Sequence, residues 1–154
     1  MYLGLKLLHL VAVMLFRGNI TTGVFWKEIA DRTKDPRIIA HTMAGIIRSD
    51  RLFTVPGVVW ILIGGFGAAI LGHYPLLHTR WISWSIVLFT ISGIAFMARL
   101  VPLQRSLLQL ARAGEGGEMD WPKYHAQSRQ WAIWGLIALA APIVAMGLMV
   151  TKPQ

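Results

Sequence analysis

Four stretches of about 20 mostly apolar residues, each long enough to cross a hydrocarbon layer ~30 Å thick, constrain this chain more than any other feature. They are Leu3–Trp26, Leu52–Leu71, Trp81–Val101 and Trp131–Val150. A chain of 154 residues that is 55% hydrophobic and 14% charged has too little interior to hide them in water. A bilayer removes the difficulty. The expected fold is an all-α membrane protein, an antiparallel four-helix transmembrane bundle. Residues 1–154 are expected to form one membrane domain, with the first apolar stretch retained as a helix. No small-residue cleavage site follows Phe16, where Arg17, Gly18 and Asn19 stand instead.

The connections carry the polarity. Lys27–Arg51 is long and charged, and Pro36 opens a helical stretch within it that continues into the second span. Gly72–Arg80 is a short turn. Pro102–Arg129 begins as an amphipathic helix, breaks at Gly114, Gly116 and Gly117, and restarts after Pro122. Pro56 falls near the start of the second span, where a missing N–H costs least. Pro142 falls mid-span, where a kink is expected. Eleven basic residues flank the two long connections, and only Lys6, Arg80 and Lys152 lie at the other end. That asymmetry predicts helical extensions into the cytoplasm, with both chain termini outside.

The net charge of +8 therefore reads as contact with anionic lipid headgroups rather than with nucleic acid. The absence of cysteine excludes disulfides, thiolate metal sites and a cysteine nucleophile. Trp81 and Trp84 are expected at the outer interface, and Trp26, Trp121 and Trp131 at the inner one, as an aromatic belt. Gly64, Ala68 and Gly72 recur every four residues, a small-residue stripe that admits a neighbouring helix. The run Gly64-Gly65-Phe66-Gly67 lies inside an apolar span without a following lysine and serine, so it is no phosphate loop.

Chemistry concentrates on the first helix. At about 100° per residue, Lys6, His9 and Arg17 fall within ~80° of one another, a stripe that should face the bundle interior or a wet cavity. His73 and His78 lie at the outer end of the second helix and in the turn after it. Met146 and Met149 lie near the outer end of the fourth. Imidazole and thioether suit haem iron and copper. The candidate cofactor-binding residues are thus His9, His73, His78, Arg17, Met146 and Met149, with His9 as the candidate metal ligand. The competing reading makes His9 a hydrogen-bonded packing residue. Arg17, about 21 Å from Leu3 along the helix, sits within the hydrocarbon. It must reach Asp50 or lipid phosphate, bond to freed carbonyls or water, or hold an anion such as a haem propionate. His41 and His125 read as surface histidines. No catalytic constellation stands out, so an enzymatic role is not expected.

Three segments carry a resemblance: Tyr2-Leu3-Gly4-Leu5-Lys6-Leu7-Leu8-His9, Asp50-Arg51-Leu52-Phe53-Thr54-Val55-Pro56-Gly57 and Leu148-Met149-Val150-Thr151-Lys152-Pro153. Together they resemble a bacterial family of predicted integral membrane proteins, domain of unknown function 2269, along the whole chain. The resemblance implies a multi-pass protein of the bacterial cytoplasmic (inner) membrane. The opening segment is also similar to the first helix of bacterial copper-resistance membrane proteins. It resembles as well that of the membrane protoporphyrinogen oxidase of haem synthesis, in which a first-helix histidine is implicated in haem binding. Arg17 departs from the small or apolar residue expected there. The leading expectation is a haem b-binding or redox-associated membrane protein using His9. The alternatives are a non-catalytic accessory subunit of a larger membrane complex or of a homo-oligomer, and a small-solute or metal transporter.

Overall fold

A computed structural model describes residues 1–75 and 79–151. Its helices are α1 (Tyr2–Thr33), α2 (Pro36–Ser49), α3 (Val55–Leu71), α4 (Arg80–Ala95), α5 (Val101–Glu115) and α6 (Trp121–Thr151). The chain turns sharply between α1 and α2. Lys34 adopts a left-handed conformation (φ 54°), and the Asp35 side chain accepts a hydrogen bond from the Arg37 amide at 2.8 Å. Pro36 then occupies the first helical position, where its missing N–H is harmless.

Two π-turns, Asp50–Thr54 and Phe96–Leu100, join α2 to α3 and α4 to α5. In each, an i→i−5 bond closes the wide turn: the Val55 amide donates to the Asp50 carbonyl, and the Val101 amide to Phe96. The next residue in both cases is proline, Pro56 or Pro102. A proline in a continuous helix removes one amide donor and crowds the carbonyl four residues back. Widening the preceding turn relieves both. The result is two unbroken helices, Pro36–Leu71 and Arg80–Glu115; the first is the continuation of the Pro36 helix into the second span that the sequence predicts. α6 likewise runs through Pro142.

Counting these two continuous helices with α1 and α6, four helices are long and apolar enough to cross a membrane, and no strand occurs among the described residues. The fold is an all-α membrane bundle. Leu3, Met14, Leu52, Ile94 and Leu136 are well exposed on its surface, which suits contact with lipid.

Packing differs between the two ends. At the end with the long connections, α2 lies against α5, and α1 and α6 pack on them. Ile39, Met43, Leu107, Tyr124 and Trp131 form the principal core there. At the opposite end, close backbone packing joins α1 to α3 and α4 to α6, and not one pair to the other. The smaller core of Ala12, Phe16 and Ile61 belongs to the α1/α3 pair.

Small and polar residues set these approaches. A Cβ at Gly64 would lie 2.9 Å from the His9 amide nitrogen and 3.0 Å from the Leu5 carbonyl oxygen, so α1 and α3 touch through their backbones. On the other pair, Ser92 Oγ donates to the Ala138 carbonyl at 2.6 Å and Ser85 Oγ to Ala145 at 3.3 Å.

Candidate functional site

The separation of the two helix pairs leaves a cleft of about 700 Å³ between α1, α3, α4 and α6, a size that holds a cofactor or lipid-like molecule. Phe16 and Phe89 both line it, and their rings, 6.3 Å apart, meet near its deep end. Its walls are mostly aliphatic and aromatic. His9, Arg17, Met146 and Met149 all border it, as does Lys6. Four of the six residues expected at a cofactor site thus share one cavity. His73 does not. It is exposed just past the end of α3 with φ 55° and is not on the cleft wall. His78 lies outside the described residues.

His9 is held from two sides. Its ring lies over Gly65, where a Cβ would come within 3.1 Å of Nδ1 and Cε1. Its Nδ1 is 2.8 Å from the carbonyl oxygen of Ile61. A carbonyl can only accept, so the ring must donate from Nδ1, which leaves Nε2 with the lone pair in the neutral imidazole. Metal-ligating histidines are commonly fixed in this way. The packing and ligand readings of His9 are therefore compatible: one nitrogen serves the fold and the other remains for chemistry. Among the described residues no group of three or more His, Cys, Asp or Glu side chains gathers; the other soft donors that share the cleft with His9 are the thioethers of Met146 and Met149.

Arg17 is half-buried at the deep end of the cleft. Its Nη1 points to the Met146 sulfur at 3.9 Å, a weak acceptor. It does not reach Asp50. That carboxylate is already occupied by Asn19 (3.0 Å), Thr54 (2.8 Å) and Gln104 (2.8 Å). The ion pairs among the described residues are Lys27–Asp31 and Arg32–Glu28, and neither involves Arg17. No acidic side chain among the described residues lines the cleft, into which Lys6 and Arg17 bring two cations. Such a cavity favours an anion with a large apolar body.

Beyond the cleft, two polar clusters brace the helices. One is the Asp50 group, which ties α1 and α5 to the first π-turn. The other centres on Lys27, which is 4% exposed and reaches Asp31 and Ser128, each at 2.6 Å. The Tyr124 hydroxyl donates to Asp31. Trp131 joins this cluster: it is buried, with Lys27 Nζ 5.3 Å from its ring centroid. Trp81 lines the cleft, whereas Trp26 and Trp84 are exposed as a belt requires. His41 and His125 are exposed, and His125 stacks on Trp121.

Residues 3–153 match the family described as predicted integral membrane protein, DUF2269. The chain belongs to that family. No curated protein and no solved structure matches it. For this DUF2269 member, membrane integration accords with the four spans, and the cleft is the feature from which a function must be argued.

Proposed function

We propose that this DUF2269 protein binds haem b in the cleft, with His9 as the residue that would hold its iron, in a redox-associated role at the bacterial cytoplasmic membrane. The observation that carries the reading is the His9–Ile61 contact of 2.8 Å, which fixes the ring and leaves Nε2 as the donor to iron. The rest of the lining suits the same molecule. Met146 and Met149 supply thioethers, Lys6 and Arg17 suit the propionates, and the apolar walls suit the porphyrin face and exclude water. Bound haem would supply one-electron chemistry. The chain's own part is to orient His9, neutralise the acid groups and keep the site dry.

The protein purified from cells supplied with haem precursor should show a Soret band, and His9→Ala should remove it while leaving the fold intact. A colourless, folded wild-type preparation would instead favour the accessory-subunit reading. Arg17→Lys should lower haem retention severalfold, because an ammonium cannot make the two-pronged contact of a guanidinium. Equal retention and equal thermal stability would remove Arg17 from the site and leave it as a snorkelling cation.

The proposed orientation puts both long connections in the cytoplasm, supported by the basic residues that flank them. Single cysteines at Thr33, Pro75 and Gly116 test it with an impermeant thiol reagent on intact cells. Labelling should occur at position 75 alone; reaction at 33 or 116 would invert the topology.

A further inference from the structure

The outer surface of the α4/α6 pair carries a second concavity, of about 210 Å³. Ala95 and Ala98 contribute small side chains to it, and Ile91, Ile94 and Ile137 are its aliphatic residues. At one end stand Arg99, carried by the second π-turn, and Trp134. Arg99 is exposed, and its guanidinium lies 5.3 Å from the centroid of the Trp134 ring. It forms no ion pair among the described residues, and no acidic side chain lines the groove.

The depth of this groove in a bilayer gives it meaning. Arg99 is about 27 Å along the helix from Trp81, close to the ~30 Å of one hydrocarbon layer. The cation thus lies near the interface on the side of the long connections. Ile94 and Ile91 follow at about 8 and 12 Å from Arg99 toward the bilayer centre. On antiparallel α6, Ile137 is likewise one turn deeper than Trp134. A cation at headgroup level therefore heads an apolar trough that runs along the membrane normal. The guanidinium lies over the ring and makes no hydrogen bond among the described residues, so its N–H groups remain available to pair with a phosphate.

We propose that this groove binds one anionic phospholipid, its phosphate on Arg99 and an acyl chain along Ile94, Ile91 and Ile137. A headgroup carrying its own ammonium would set a like charge beside Arg99, so a lipid with net negative charge is preferred. The site is separate from the cleft and does not depend on haem.

Native mass spectrometry of the full chain in neutral detergent tests it, with phosphatidylglycerol, phosphatidylcholine or inorganic phosphate added. One phosphatidylglycerol should be retained in preference to phosphatidylcholine, and inorganic phosphate should not displace it. Arg99→Gln should weaken retention about fivefold. Ile94→Trp, which fills the trough from a position 62% exposed to lipid, should do the same, whereas Arg37→Gln, remote from the groove, should not. The lipid-facing Ile94→Trp keeps the test available if Arg99→Gln misfolds. Equal retention of the two lipids, unchanged retention in both groove variants, or an equal loss in Arg37→Gln would each overturn the site.

Discussion

Asp31→Ala is expected to destabilise the protein by about 3 kcal/mol, the lower end of the cost of stranding one member of a buried ion pair. Lys27 is 4% exposed and Asp31 22%, with 2.6 Å between Nζ and Oδ2. Asp31 also accepts hydrogen bonds from the Tyr124 hydroxyl and, at 3.3 Å, from Ser128. Removing its carboxylate leaves an ammonium among the rings of Tyr124 and Trp131 with only the Ser128 hydroxyl, and it deprives the buried tyrosine of its acceptor. Reversible unfolding in mixed micelles should register the loss. The double variant Lys27→Met, Asp31→Leu should recover much of it, since a buried pair replaced as a unit leaves no unmatched charge. Full additivity of the two single changes would mean that the pair contributes no coupling and that Lys27 is solvated by another route.

Gly64→Ala should have the next largest effect, about 2 kcal/mol, and should also impair haem binding. The added methyl would meet the His9 amide nitrogen at 2.9 Å and the Leu5 carbonyl oxygen at 3.0 Å. Both are backbone atoms of α1, so neither can rotate aside as a side chain would. α1 must move away from α3, and the Ile61 carbonyl on α3 would no longer hold Nδ1. Gly18→Ala is the matched control, because a Cβ there meets nothing within 4 Å; alanine's higher helix propensity makes it neutral or slightly stabilising. Unfolding free energies of the two variants, measured together with their haem occupancy, separate a packing defect from a general intolerance of glycine replacement. Gly64→Ala behaving like Gly18→Ala would show that the helices are not in backbone contact.

The spans were legible because hydropathy over some 20 residues is a strong signal that tertiary context cannot override. The start of α2 at Pro36 and the close approach at Gly64 were also legible, each carried by a residue with one dominant physical role. Three features were not. The π-turns arise from Pro56 and Pro102 inside continuous helices, and a proline near the edge of an apolar stretch reads equally well as a helix start. The repeated Val-Pro pair, at Val55-Pro56 and Val101-Pro102, was the available hint. Asp50 reads as a candidate partner of Arg17, and its bond to Gln104, 54 residues away, is invisible to local spacing. The buried place of Trp131 likewise depends on Lys27, far off in sequence.

The cleft itself was half legible. Helical phase put Lys6, His9 and Arg17 on one face, and they do border one cavity. That the cavity exists depends on the pairing of α1 with α3 and of α4 with α6, which local spacing does not reveal. Arg17 lacks an acidic partner because it faces the cleft, about 200° around α1 from Asn19, the residue of that helix that reaches Asp50.

The measurement that bears most directly on the central claim is rescue by free imidazole. His9→Gly removes the ring but keeps the space beside Gly65 and the Ile61 carbonyl. The variant should purify without a Soret band when haem is supplied, and adding imidazole should restore the band, because the free base takes the vacated position as donor to iron. A Soret band that survives in His9→Gly without imidazole, or a wild-type protein that stays colourless with haem present, would contradict His9 as the ligand.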